Sequence, residues 1–235
     1  MKNLQLLANK ELGIVLSDEQ IKMFIVYYEE LIEYNKITNL TRIVEEKEVQ
    51  IKHFFDSLSI GKTIDLILIG TLCDLGTGAG FPGIPLKIVF PHLKVTLVDS
   101  LGKRIKFLEM IVEKLKLQDV KIINARAEEY ALTHTQKFDV VVSRAFSKLR
   151  VFLEIGIPLL KKGGLLVAMK GNNYEDELVE CKTILRKLDS SIIEKKHFEL
   201  PESFGERTNI VVKKGNHVVG FPRVYSAILK GEVKL

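Results

Sequence analysis

The chain has 235 residues, a formal net charge of +5 at pH 7 and a mean hydropathy of +0.12. Hydrophobic residues make up 46% of it and charged residues 28%, which is typical of a globular protein. No apolar run reaches the roughly 18 residues that span a bilayer. The start, MKNLQLLANKELG, has Asn9, Lys10 and Glu11 after a short apolar stretch and lacks the form of a signal peptide. We therefore expect a cytoplasmic protein without a membrane span.

Cysteine and histidine usage argues against disulfide and metal chemistry. Cys73 and Cys181 form no CxxC motif, and two thiols are too few to staple a chain of this size. The five histidines are scattered without i,i+4 pairs, so the sequence predicts no metal site. The sequence pI near 9.0 and several lysine clusters permit a polyanionic partner such as a nucleic acid.

The first sixty residues are predicted to be helical. SDEQ, Ser17 to Gln20, is a capping box, and apolar residues recur after it at helical spacing until about Tyr34. A second helix is predicted over Glu45 to Ile60, with Val49, Phe54 and Leu58 facing inward. We predict an N-terminal helical cap over residues 1–65 and a second domain over residues 66–235.

From Thr71 onward, short strands alternate with helical patterns. The predicted strands are Thr71–Leu75, Val95–Val98, Val120–Ile123, Phe138–Val142 and Leu165–Met169. This alternation predicts an α/β fold with a mostly parallel, doubly wound sheet. Two further strands, Ser191–Leu200 and Thr208–Lys213, follow without a helix between them and are expected to form an antiparallel hairpin at the sheet edge.

A glycine-rich loop follows the first of these strands. CDLGTGAGFPGIPL, Cys73 to Leu86, contains Gly76, Gly78, Gly80 and Gly83, and Pro82 and Pro85 stand where the next helix begins. Ligands of such sheets bind outside the carboxyl ends of the strands, where a helix N-terminus offers free N–H groups. The loop is therefore expected to hold a ligand.

Two cofactors fit this loop. GAGFPG matches the GxGxxG dinucleotide pattern, with Asp99 about twenty residues further on. DLGTGAG matches instead a loop for S-adenosylmethionine, whose ribose hydroxyls Asp99 would equally accept. Asp74 favours the second interpretation, since a carboxylate suits a cofactor that carries an ammonium and a sulfonium. The terminal hairpin favours a methyltransferase too, and a dinucleotide-dependent oxidoreductase stays the alternative.

The chain resembles the glucose-inhibited division protein B family (RsmG) over nearly its whole length. The stretches that carry the resemblance are NKITNLT (Asn35–Thr41), HFFDSL (His53–Leu58), DLGTGAGFPGIPLKI (Asp74–Ile88), LVDSLGKRIKFL (Leu97–Leu108), ARAEE (Ala125–Glu129), VVSRAF (Val141–Phe146), AMKG (Ala168–Gly171) and FPR (Phe221–Arg223). The tail VYSAILKGEVKL departs from the basic Gly- and Pro-containing segment with which this family tends to end.

This resemblance implies a class I methyltransferase with a seven-stranded sheet and a helical N-terminal cap. It implies transfer of a methyl group from S-adenosylmethionine to guanine N7 in bacterial 16S rRNA. The implied partner is 16S rRNA or the small ribosomal subunit, with no membrane and no metal, and we expect a monomer. A non-catalytic RNA-binding module on the same fold is a further alternative. The cofactor-binding residues, with Asp74 and Gly80 added from the loop, are Asp74, Gly76, Gly78, Gly80, Phe81, Asp99, Ala127, Glu128 and Arg144.

Methylation at N7 uses a lone pair in the ring plane, so no proton must leave before attack. In agreement, the chain has neither an Asp/Asn-Pro-Pro-aromatic motif nor a Pro-Cys nucleophile. Arg144, His53 and Asp56 are the candidate catalytic residues, and His53 and Asp56 share one predicted helical face. His53 and Asp56 serve either to line the RNA entrance or only to tie the helical segment to the sheet. Arg144 lies either on the methyl-acceptor side of the site or in a surface salt bridge. Asp56, Asp74 or neither would stabilise the methylated base. The candidate RNA-binding residues are Asn39, Arg207 and Arg223.

Overall fold

A sheet of seven strands forms the centre of the protein, which we describe from a computed structural model over residues 1–171 and 174–231. The strands are β1 (Thr71–Leu75), β2 (Lys94–Asp99), β3 (Val120–Asn124), β4 (Phe138–Arg144), β5 (Leu160–Lys170), β6 (Ser190–Glu199) and β7 (Glu206–Lys214). Their spatial order is β3-β2-β1-β4-β5-β7-β6. Strands β1 to β5 run parallel, whereas β7 is antiparallel to both β5 and β6.

Helices cover both faces of the sheet. They are α1 (Lys2–Leu12), α2 (Asp18–Thr38), α3 (Glu46–Val49), α4 (Asp56–Leu58), α5 (Gly83–Val89), α6 (Gly102–Lys114), α7 (Ala127–Thr133), α8 (Leu149–Leu159), α9 (Glu175–Lys187) and α10 (Tyr225–Lys230). Helices α1 to α6 share one hydrophobic core with one face of the sheet, and α7 to α10 share a second core with the other. Among the described residues, no helix combines the length and the apolar character that crossing a bilayer requires.

The predicted α/β fold is confirmed, and so is the terminal hairpin. The structure places β7 inside the sheet and leaves β6 at its edge. Ile210, Val211 and Val212 of β7 are completely buried, as a strand with neighbours on both sides requires. Strand β6 carries Lys195 and Lys196, and charged side chains of this kind protect an edge strand from further pairing.

The predicted N-terminal helices form with one local difference. Ser17 caps α2 as the motif predicts, because its Oγ accepts from the Gln20 N–H at 3.2 Å. The second predicted helix runs from α3 to α4, and Val49, Phe54 and Leu58 are completely buried. Its middle, Gln50–Phe55, is π-helical rather than α-helical. Wider turns of this kind often occur at functional sites.

Helix α2 supports the glycine-rich loop through Tyr27. This side chain is completely buried, and its hydroxyl donates to the Ala79 carbonyl oxygen at 2.5 Å. The ring stacks on Phe81 with 5.3 Å between the centroids. The helical segment and the loop are therefore packed as one core, and the division at residues 65 and 66 stays a prediction.

Replacing Tyr27 by Phe should weaken this support. The buried carbonyl of Ala79 loses its hydrogen bond, so we expect the free energy of unfolding to fall by about 1–2 kcal/mol. Tyr28→Phe is the matched control, because that hydroxyl donates at the surface to the Val44 carbonyl oxygen, and the expected change is below about 0.5 kcal/mol. Urea unfolding of both variants is the measurement. Equal losses in the two variants would contradict this role of Tyr27.

Candidate active site

Asp74 closes the glycine-rich loop from within. Its side chain is completely buried near the end of β1. Oδ2 accepts from Thr77 Oγ1 at 2.6 Å and from the Gly83 N–H at 2.8 Å, so the carboxyl group joins the two ends of the loop. Burial raises the pKa of Asp74 to about 7. The Asp74 side chain therefore has a structural role in this loop, and its predicted contact with the cofactor stays a prediction.

The glycines of the loop serve two purposes. A Cβ at Gly80 would lie 2.5 Å from Ile84 Cδ1, and one at Gly83 would lie 2.4 Å from Leu97 Cδ2. Glycine is required at these two positions because neighbouring side chains of the protein occupy the space that a Cβ would fill. Gly78 has a φ of +64° and no atom within 4 Å of an added Cβ, so its positive φ is the reason for glycine.

A cavity of about 280 Å³, the cofactor cavity, lies over the carboxyl ends of β1 to β4. It is lined by Gly76, Val98, Asp99, Ser100, Arg104, Ala125, Arg126, Ala127, Glu128, Ala145, Phe146, Ser147 and Tyr225. Asp99 is almost completely buried at its base. Its Oδ2 accepts from the Gly78 N–H at 3.0 Å and from Arg104 Nη1 at 3.1 Å, and its Oδ1 accepts from the Leu101 N–H. A carboxylate fixed in this way presents acceptors at a defined place.

A second cavity of about 360 Å³, the acceptor cavity, lies beside the first. It is lined by Ile43, Lys52, His53, Asp56, Arg144, Ala145, Met169, Lys170, Gly171 and Arg207. Ala145 borders both cavities. Its φ of +55° lies in the left-handed region, which costs a residue with a Cβ about 1–2 kcal/mol. Backbone strain of this kind concentrates at functional sites, and here it marks the junction of the two cavities.

His53 and Arg144 are held together in the acceptor cavity. Arg144 Nη2 donates to His53 Nδ1 at 3.0 Å, and Nη1 donates to the Lys52 carbonyl oxygen at 2.7 Å. Since a guanidinium only donates, His53 carries its hydrogen on Nε2, which donates to Thr41 Oγ1 at 2.9 Å. Burial, together with the charge of Arg144, lowers the pKa of His53 to about 3. Phe81 stacks on the imidazole at 4.4 Å, and the histidine is therefore neutral and fixed.

Asp56 joins two arginines from distant parts of the chain. Its carboxylate is completely buried, with Oδ2 lying 3.2 Å from Arg144 Nη1. Oδ1 lies 3.2 Å from Arg207 Nε. Arg144 is the last residue of β4 and Arg207 the second residue of β7, so one carboxylate connects the helical segment to two strands.

The predicted site residues fall into two groups with two exceptions. One group, at the acceptor cavity, is His53, Asp56, Phe81, Arg144 and Arg207. The other, at the cofactor cavity and its loop, is Asp74, Gly76, Gly78, Gly80, Asp99, Ala127 and Glu128. Asn39 lies exposed at the end of α2. Arg223 is not brought to either cavity lining, and its Nε and Nη2 donate to Glu154 at 2.5 and 2.8 Å.

Several residues at these cavities were missed by the sequence analysis. Arg104 and Phe146 lie inside stretches that carry the family resemblance, which is the signal that could have found them. Lys170 lies in AMKG, another of those stretches, whereas Lys52 precedes HFFDSL and enters the acceptor cavity from a segment that no motif marks. Tyr225 lies in the atypical tail, where no motif points to it. Within residues 1–171 and 174–231, no group of His, Cys, Asp and Glu is arranged to hold a metal ion.

Solved structures of other proteins share this fold. A SAM-dependent methyltransferase from Aquifex aeolicus superposes with a TM-score of 0.55 at 18% identity, covering 77% of this chain and 98% of that one. TYW2 from M. jannaschii, solved in complex with AdoMet, superposes with a TM-score of 0.50 at 19% identity, covering 63% and 69% of the two chains. At these identities the likeness shows that the fold is shared.

Sequence relatives identify the family. The family model "GidB: rRNA small subunit methyltransferase G" matches residues 20–202. The ribosomal RNA small subunit methyltransferase G of Acholeplasma laidlawii is 45% identical over 219 residues, which cover 93% of this chain and 95% of that protein. The protein of the same name from Staphylococcus saprophyticus is 46% identical over 203 residues, covering 86% and 85%. The chain belongs to the rRNA small subunit methyltransferase G family and is an rRNA methyltransferase.

The low pKa of His53 predicts how stability depends on pH. Below about pH 6.5 an unfolded histidine takes up a proton, while folded His53 stays neutral to about pH 3. The unfolded state therefore binds more protons, and stability falls as the pH falls through this window. Relative to His53→Gln, wild-type protein should lose up to about 1.4 kcal/mol of unfolding free energy per pH unit between pH 6 and 4.

Urea unfolding of both proteins at several pH values measures this difference directly. The raised pKa of Asp74 makes stability rise as the pH falls, which is opposite to the effect of His53. Asp74 is present in both proteins, so its contribution cancels in the difference. A difference that stays constant with pH would contradict a neutral, buried His53.

Proposed function

We propose that this methyltransferase transfers the methyl group of S-adenosylmethionine to N7 of a guanine in 16S rRNA. The observation that carries the proposal is the state of the two proton-accepting side chains in the acceptor cavity. His53 Nδ1 is occupied by Arg144, and its Nε2 faces Thr41. Both oxygens of Asp56 face arginines. Arg144 donates to His53 Nδ1 and to Asp56 Oδ2, and Asp56 Oδ1, which accepts no hydrogen bond, is ion-paired with Arg207. Among the described residues that line this cavity, both groups are thus held by cations, which oppose their taking up a proton.

Guanine N7 suits a site of this kind. Its lone pair lies in the ring plane and carries no hydrogen, so it accepts a methyl group without losing a proton. An exocyclic amine would have to lose one, which requires an acceptor. The base gains positive charge as the methyl arrives. A carboxylate near the base can stabilise this charge. Asp56, which offsets the charge of Arg144 and Arg207 in the acceptor cavity, is better placed to do so than Asp74, which is enclosed in the loop.

The residues of the cofactor cavity fit S-adenosylmethionine. When bound, this cofactor supplies the methyl group from its sulfonium centre. Asp99 offers carboxylate oxygens for the two ribose hydroxyls, and Ala127 and Glu128 offer an N–H and a carboxylate for the edge of the adenine. Gly76 and Gly78, which both have positive φ angles, let the loop pass beneath the ligand. Phe81, in the same loop, packs against the side chains of His53 and Arg144.

Catalysis then depends on positioning. The two cavities meet at Ala145, so a base in one cavity faces the methyl group presented from the other. Holding two reactants in line in this way can remove about 7–11 kcal/mol of a barrier at its best. Arg144 fixes the acceptor side because its own position is set by His53, Asp56 and the Lys52 carbonyl.

The basic side chains around the acceptor cavity are suited to the phosphates of RNA. Arg207 keeps about a quarter of its side chain exposed, and Lys52 lies at the same rim. Asn39 is exposed further out on the helical segment. Arg223 has no part in this proposal, because Glu154 holds its guanidinium. We propose a cytoplasmic monomer acting on 16S rRNA or the small subunit.

Methyl transfer from labelled S-adenosylmethionine tests the proposal. Free 16S rRNA, a partly assembled subunit and the complete small subunit are compared side by side, and the modified nucleoside is identified by mass spectrometry. We expect N7-methylguanosine from at least one of the three. Cofactor binding without methyl incorporation would indicate a non-catalytic RNA-binding module, and tight NADH binding would indicate a dinucleotide enzyme; either result would contradict the proposal.

Asp99→Ala should weaken cofactor binding without unfolding the protein. The ribose hydroxyls lose charged acceptors, a loss of about 1.5–3 kcal/mol, or roughly 10- to 150-fold in Kd. Glu109→Ala is the control, since Glu109 is an exposed carboxylate on α6. Calorimetric titration with S-adenosylhomocysteine measures both. An unchanged affinity in Asp99→Ala would remove Asp99 from the cofactor site.

Substitutions of Arg144 and Arg207 should affect turnover and RNA affinity differently. Arg207→Ala should weaken RNA binding and lower the log–log salt slope by roughly 0.7–0.9 per lost phosphate contact. Arg144→Ala should reduce the single-turnover rate more than the RNA affinity, because one contact adds little to a polyelectrolyte interface. Single-turnover methylation and RNA binding at three salt concentrations measure both effects. Full turnover with a reduced salt slope in Arg144→Ala would make Arg144 a phosphate contact instead.

A further inference from the structure

The segment after β7 returns across the second core to the cofactor cavity. We call residues 215–231 the C-terminal strap. Arg223 anchors it through two hydrogen bonds to Glu154, whose side chain is completely buried in α8. Ile228 of α10 is also completely buried, in the core that α8 forms. A charged and an apolar anchor therefore fix the strap on both sides of Tyr225.

Tyr225 lies at the wall of the cofactor cavity. It is the first residue of α10 and lines the cavity together with Phe146 and Ser147. The residue is 39% exposed, so it keeps free surface. Phe146 in turn packs against Phe152 of α8 with 5.3 Å between the ring centroids. The strap thus adds a second aromatic side chain to a wall that is otherwise built by the loop after β4.

The other residues of the cavity show which part of the cofactor this wall meets. Asp99 marks the position of the ribose, and Ala127 and Glu128, from the start of α7, mark the edge of the adenine. Ala125 and Ala127 are too small to cover a purine face. Aromatic side chains bind purine faces by stacking, and a planar wall is what this end of the cavity requires.

We infer that Tyr225 packs its ring against the adenosine end of S-adenosylmethionine and is a cofactor-affinity residue contributed by the strap. The inference rests on the proposed cofactor site. The family model ends at residue 202, and the strap lies outside the matched segment. The face of the ring contributes the affinity for the cofactor, and the hydroxyl is not required for it.

Calorimetric titration with S-adenosylhomocysteine and with 5′-methylthioadenosine tests the contact. Tyr225→Ala should raise both Kd values about 5- to 30-fold, the lower part of the range for losing a base–aromatic stack, because the ring is partly exposed. Tyr225→Phe should keep the wild-type affinity. Val224→Ala is the matched control, since Val224 is the exposed neighbour and does not line the cavity.

The chain contains no tryptophan, which allows a direct optical readout. Tyr225→Trp places a single indole at the cavity wall, and stacking on adenine should lower its fluorescence with the same Kd that calorimetry gives. Leu229→Trp places the indole on the same strap at an exposed position away from the cavity lining, and its fluorescence should not change.

The outcomes separate this inference from the proposed function. Wild-type protein that binds neither ligand would overturn the proposed cofactor site and the inference with it. Two results would overturn the role of Tyr225 alone. One is an affinity in Tyr225→Ala equal to that of wild type; the other is an unchanged fluorescence of Tyr225→Trp under conditions in which calorimetry shows that the ligand binds.

Discussion

The site depends on a completely buried carboxylate, Asp56, held between two guanidinium groups. A buried charge is costly unless it is paired, and Asp56 is paired with Arg144 at one oxygen and with Arg207 at the other. This requirement brings the π-helical segment, the end of β4 and the start of β7 to one place. The acceptor cavity forms where they meet.

The charge of Arg144 determines the state of His53. A guanidinium that donates to Nδ1 opposes protonation of the ring, and burial acts in the same direction. The histidine is therefore a neutral support, stacked on Phe81 of the glycine-rich loop. Tyr27 and Asp74 fix that loop from the helical side and from within. The acceptor cavity and the cofactor cavity meet at the strained backbone of Ala145.

The fold could be predicted from local patterns because they agree with the tertiary structure. The capping box at Ser17, the alternation of strands and helices and the terminal hairpin are all present. The π-helical turn could not be predicted, since nothing in QIKHFF distinguishes it from an α-helix. The apolar run of β7 is consistent with a position inside the sheet, but the position can be recognised only once the neighbouring strands β5 and β6 are known.

Most residues of the candidate site could be predicted from the sequence, but the contacts between them could not. Asp56, Arg144 and Arg207 were all candidates, yet their pairing joins positions too far apart in sequence for any spacing rule. The same reason explains Arg223, whose partner Glu154 lies 69 residues away in the interior of α8. Gly80 is explained by packing against Ile84 and Tyr27, which a glycine pattern alone does not indicate.

The central claim is that this site positions a guanine and removes no proton from it. The most direct test is the pH dependence of the single-turnover methylation rate, with cofactor and RNA saturating, between about pH 6 and 8.5, because a required general base appears as a rising limb in such a profile. We predict a flat profile, since His53 and Asp56 are both engaged by internal partners and N7 carries no hydrogen. A rate that rises tenfold per pH unit up to a plateau, and that still rises so after Asp74→Asn removes the loop carboxyl group whose pKa is about 7, would contradict the account.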